Sequence, residues 1–182
     1  MLVFFQHLQA AVATDAMRDV DDEVSVLQIE KTVDGFEIAV QHLFGETGFG
    51  VGANATFVDG DIAFDTASLD EQFAITGLSD SANLVGYYEN EKLQVRLAYN
   101  WRDDFLSGTT QPNVGNAGPT FVEAYGQWDA RASYNFSDQL TFFIEGINIT
   151  DETTLKYGRT RDQLLNASQT GARYNIGARF SF

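Results

Sequence analysis

Leu93-Gln94-Val95-Arg96-Leu97-Ala98-Tyr99-Asn100-Trp101-Arg102 is the stretch on which the fold turns. Its odd positions are all apolar, and its even positions are polar or small. Successive side chains of an extended chain point to opposite sides, so a period of two writes one dry face and one wet face.

The same period continues in both directions. Upstream, Phe36, Ile38, Val40, His42 and Phe44 alternate with Glu37, Ala39, Gln41 and Leu43. Phe49, Val51, Ala53, Ala55 and Phe57 follow in the same way, then Ala82, Leu84, Gly86 and Tyr88. Downstream come Trp128, Ala130, Ala132, Tyr134 and Phe136, then Leu140, Phe142, Ile144 and Gly146. The last set is Tyr174, Ile176, Ala178, Phe180 and Phe182. Across these seven expected strands the apolar stripe carries no Asp, Glu, Lys or Arg. The opposite stripe carries Glu37, Arg96, Arg102, Asp129, Arg131, Glu145 and Arg179. Residues 24–33 either prolong the strand through Gly35 or form one more that turns at Asp34-Gly35, so the count is seven or eight.

Connection lengths alternate as well. Tight turns are expected at 45–48, 89–92 and 137–138, and long loops at 61–80, 105–121 and 151–170. Short turns on one side and long loops on the other are the habit of outer-membrane barrels, and this parity puts Phe182 on the periplasmic side. A soluble sandwich or a lipocalin-like barrel would alternate too, with its apolar face inward. Three features favour lipid. The strands are about 10 residues long, the length that a tilted strand needs to cross hydrocarbon. Aromatic residues gather near strand ends, as in an interfacial girdle. The only lysines, Lys31, Lys92 and Lys156, are absent from the polar stripe, which reads as a lumen. The expected class is therefore all-β, with antiparallel transmembrane barrel strands.

Composition narrows the function. The 182 residues contain no cysteine, which removes disulfides and thiolate metal sites. The net charge of −15 is concentrated upstream: residues 1–91 hold 17 acidic and 2 basic side chains, and residues 92–182 hold 9 of each. Nucleic acid is an unsuitable partner for such a chain. No run of 18 apolar residues exists, which excludes a transmembrane helix and leaves a barrel open. Residues 1–13 make a poor signal peptide, lacking a basic start.

The residues also resemble a known family. Gly35-Phe36-Glu37-Ile38-Ala39-Val40-Gln41-His42-Leu43-Phe44-Gly45, Ala98-Tyr99-Asn100-Trp101-Arg102-Asp103 and Gly146-Ile147-Asn148-Ile149-Thr150-Asp151-Glu152 are similar to late barrel hairpins of proteobacterial TonB-dependent receptors. Residues 33–182 share the likeness, and residues 1–32 are expected to be a truncated N-terminal segment or loop remnant. Asn175-x-Gly177-x-x-Phe180-x-Phe182 resembles the terminal signal read by the barrel assembly machinery. The resemblance implies the C-terminal part of a 22-stranded barrel in the outer membrane of a Gram-negative bacterium. It implies contact with membrane lipid, uptake of a scarce small-molecule ligand such as a carbohydrate or a siderophore, and coupling to TonB through a plug domain that residues 1–32 do not provide.

No catalytic residue, metal ligand or cofactor is expected. His7 and His42 stand far apart, and Gly77-Leu78-Ser79-Asp80-Ser81 lacks the closing glycine of a nucleophile elbow. Asp59, Asp61, Asp65, Asp70 and Glu71 miss the calcium-loop spacing. The polar-stripe charges either line a permeation route or pair across strands to hold the wall. Trp101, Tyr125 and Trp128 flank the uncharged 105–121 loop and are the candidates for stacking on a ligand. The competing readings are a complete eight-stranded barrel with a structural or adhesive role and a soluble β-sandwich binding module.

Overall fold

The computed structural model describes residues 2–20, 23–61, 63–68, 70, 72, 74–109 and 118–182, with side chains from residue 32 onward. Among them the chain is all β. Its strands are β1 (Leu2–Val20), β2 (Glu23–Leu43), β3 (Phe49–Gly60), β4 (Ser81–Glu89), β5 (Leu93–Arg102) and β6 (Phe105–Gly108). They continue with β7 (Thr120–Val122), β8 (Tyr125–Asn135), β9 (Leu140–Ile147), β10 (Thr153–Tyr157), β11 (Leu164–Gln169) and β12 (Arg173–Phe180).

Eight strands form one antiparallel sheet in the order β1-β2-β3-β4-β5-β8-β9-β12. Register decides whether the separate dry stripes make a common surface, because a slip of one residue would turn a strand over. They do. A single transverse row runs His42, Val51, Gly86, Leu97, Ala130, Gly146 and Tyr174, each opposite the next. The adjacent row runs Leu43, Gly50, Tyr87, Arg96, Arg131, Glu145 and Asn175. All seven charge-free stripes therefore share one face, and the charged stripes share the other.

Residues 24–33 prolong the strand through Gly35 rather than turning there. The eighth strand is β1, paired with β2 from Leu2 opposite Gln41 to Val20 opposite Glu23. The tight turns fall where expected. At 45–48 the backbone takes positive φ at Gly45 (60°) and Gly48 (82°), which glycine adopts without a Cβ penalty.

Two of the three long connections differ from the expected irregular loops. They carry a second sheet, β11-β10-β7-β6, and each of its strands adjoins a strand of the main sheet across a short break. β6 follows β5 after residues 103–104, and β7 precedes β8 by residues 123–124. β10 follows β9 after 148–152, and β11 precedes β12 by 170–172. The order of the small sheet repeats that of its parent strands, so the hairpins keep their pairing beyond the break.

Burial is distributed the opposite way from a soluble protein. Leu106, Val122 and Tyr157 are buried in the small sheet, whereas Leu97 (42 %), Ile144 (52 %) and Ile176 (85 %) on the dry face of the main sheet stay exposed. Among the described residues no protein layer covers that face. Between the two edge strands each strand is bonded on both sides, and the side chains on that face are apolar.

Leu97 lies mid-strand on this face. Leu97→Arg is expected to destabilise the chain by about 2–4 kcal/mol in lipid vesicles, while Gln94→Arg on the other face costs well under 1 kcal/mol. Urea unfolding of the two variants in vesicles measures the difference; equal costs would contradict the assignment of faces.

Candidate functional site

The polar face is built from two kinds of contact. Near the long-connection end lies a belt of neutral donors converging on a carboxylate. Asp129 Oδ1 accepts the Asn148 backbone N–H (2.9 Å) and Gln127 Nε2 (2.7 Å), and its Oδ2 accepts Asn100 Nδ2 (3.2 Å). Asn83 in turn donates to Asn100, and Tyr125 donates its hydroxyl to Gln127 Oε1. The belt spans β4, β5, β8 and the end of β9. Nearer the short turns, Arg131 Nε meets Glu145 Oε1 at 3.2 Å across β8 and β9.

The seven charged residues expected to line a lumen lie on this face, but their surroundings differ. Asp129 is occupied by three neutral donors, and Arg131 and Glu145 are occupied by each other. Arg102 lies between rings, 4.9 Å from the centre of Phe105 and 5.6 Å from that of Tyr125. Arg96 stands opposite Arg131 with no acidic partner among the described residues. Glu37 lies opposite Thr56, and Arg179 opposite Thr141.

The three stacking candidates do not converge. Trp101 and Trp128 lie on the charge-free face, where Trp128 packs against Tyr99 at 4.9 Å, while Tyr125 lies on the polar face. The 105–121 segment contributes β6 and β7, and its residues 110–117 lie outside the described residues.

In the terminal strand, Gly177 sits beneath the ring of Phe143, its register partner, and a Cβ there would push that ring aside. Phe180 and Phe182 meet edge to face at 5.1 Å, and both are largely exposed.

Two groups were not legible as sites. Asn148 is 1 % exposed with φ 53°, donates Nδ2 to the Glu152 carbonyl and accepts the Glu152 N–H. It knots the break between β9 and β10, and its tolerance of a left-handed backbone was the signal available in sequence. The second group joins three long connections. Arg159, Phe64, Phe121, Tyr157 and Arg161 form a continuous stack, with Phe121 and Tyr157 parallel at 5.3 Å and a guanidinium over each end ring. Arg161 also bridges Asp104 (2.6 Å) and Glu123 (3.2 Å), and Arg159 donates to the carbonyls of Thr66 and Ser68.

The sequence model described as TonB dependent receptor-like, beta-barrel matches residues 5–149, most of the chain. The chain belongs to the TonB-dependent receptor β-barrel family. Neither the curated proteins nor the solved structures yield a match to this receptor barrel. The family consists of outer-membrane receptors of Gram-negative bacteria that act in transport and not as enzymes.

Two predictions follow from the rim of the receptor barrel. Asn148→Ala strands the Glu152 N–H and forces alanine into a left-handed backbone, so it is expected to cost about 2–4 kcal/mol, against almost nothing for the exposed Asn166→Ala. Denaturant unfolding of both in micelles tests this. Tyr157 donates its hydroxyl to Asp104 Oδ2 (2.8 Å), and burial, followed by that carboxylate, pushes its pKa from 10 up to about 12. The protonated phenol is the form favoured by folding, so its contribution is complete below pH 10 and vanishes as pH rises through 12. The protection of β7 and β10 amides, taken relative to the unfolded chain at the same pH, should fall between those values, and Tyr157→Phe should abolish that fall.

Proposed function

We propose that this chain forms part of the wall of an uptake receptor that admits a scarce small molecule through the outer membrane, with a carbohydrate or a siderophore as the ligand class. The observation that carries the reading is the register of the main sheet, which gathers every charge-free stripe on one face and every charged stripe on the other in a chain of the receptor-barrel family. The dry face contacts outer-membrane lipid, and the polar face borders the lumen. β1 and β12 are the edges of the main sheet, and hydrocarbon does not tolerate unpaired edges. In this reading residues 33–182 are barrel wall, further strands complete a 22-stranded barrel, and TonB acts through a plug domain. Asn175, Gly177, Phe180 and Phe182 serve as the signal to the barrel assembly machinery, with the exposed aromatic edge of β12 as the docking element.

The eight strands of the main sheet also match the smallest closed barrels, but closure would require β1 to pair with β12, and among the described residues the two do not pair.

The chain, carried within its complete barrel and expressed with an export signal in Gram-negative cells, should fractionate with the outer membrane and resist extraction by urea. Recovery as a water-soluble monomer with Trp128 shielded from quenchers would overturn the proposal.

A further inference from the structure

The transverse row Tyr87, Arg96, Arg131 and Glu145 crosses four neighbouring strands on the polar face. Directly opposed like charges repel, and such a pair survives when something negative lies between or beside them. Glu145 neutralises Arg131 through a 3.2 Å contact. No acid does this for Arg96. Asp129, two residues along the facing strand from Arg131, has both oxygens engaged by Asn148, Gln127 and Asn100. Glu89, on the neighbouring β4, accepts from Gln94 Nε2.

Space accompanies the unmatched charge. Arg96 and Arg131 line both of two hollows of about 570 Å³ and about 400 Å³. The ring of Tyr87 lies over Gly50 and its hydroxyl accepts from Gln41, so Tyr87 leans toward β2 and β3. A side chain at position 50 would meet that ring.

We infer that Arg96, with Arg131 beside it, is a binding site for an oxyanion, the carboxylate or phosphate group of a solute passing along the polar face. This rests on that face being water-filled. A guanidinium presents its donors in a plane that matches carboxylate and phosphate oxygens, and a lysine there would act only as a point charge. In a chain of net charge −15, Arg96, the member of the opposed pair without an acid among the described residues, holds anions that the rest of the surface repels.

The test uses the full chain in lipid vesicles with inorganic phosphate as probe, against chloride at equal ionic strength. Phosphate should raise the unfolding midpoint of the wild type, and Arg96→Gln should weaken apparent phosphate affinity by about tenfold. Arg96→Lys should fall between them, and Arg179→Gln, on the same face, should behave as wild type. A phosphate response unchanged in Arg96→Gln, or no response in the wild type, overturns the site. A cysteine introduced as Ser133→Cys, in a chain without native cysteine, reports separately on water. Labelling by a membrane-impermeant maleimide with no phosphate response sinks the oxyanion site alone. Failure to label sinks the water-filled face, and the site with it.

Discussion

In hydrocarbon a backbone amide without a partner has nothing to bind, a constraint that the strands between the two edges of the main sheet satisfy. Each strand of the main sheet between the two edges is bonded on both sides, and the pleat then divides its side chains strictly between two solvents. Residues of the dry stripe need only be apolar, since among the described residues no fixed protein partner covers them. Residues of the wet stripe carry the specificity, because charges on a wall with no tails to hide in must find acids, amides or rings.

The polar face meets that demand unevenly. Asp129 takes its donors from three segments and so acts as a fastener between β5, β8 and the end of β9. Arg131 and Glu145 close one pair, and Arg102 relies on the faces of Phe105 and Tyr125. What distinguishes these arginines is therefore not their sequence neighbours but the residue that register places opposite each one. Gly50 and Gly177 show the same dependence in apolar form, since each leaves room for a ring from the next strand.

Much of the wall was readable from sequence because face membership is a binary property. Once Leu93 to Arg102 is read as a strand, parity alone assigns Arg96 to one side and Trp101 to the other. Parity was also the better guide for Trp101 and Trp128, whose position beside an uncharged loop suggested ligand stacking although their stripe faces away from Tyr125. β1 was harder, because Gln6, His7 and Gln9 interrupt its apolar positions and its identity as a strand comes from pairing with β2. The core around Leu106, Val122 and Tyr157 left no local trace, since its members come from separate connections and meet only through tertiary pairing. Asn148 was hidden for a similar reason: its side chain caps a turn whose geometry appears only after β9 and β8 are aligned.

The stack from Arg159 through Phe64, Phe121 and Tyr157 to Arg161 has a consequence for exchange of parts between receptors. Three hairpins that look like independent modules share one set of interleaved rings, so grafting a single hairpin from a homologue would leave aromatic faces and guanidinium groups without counterparts. Exchange of the three outer segments as a matched trio would keep those ring and guanidinium contacts together.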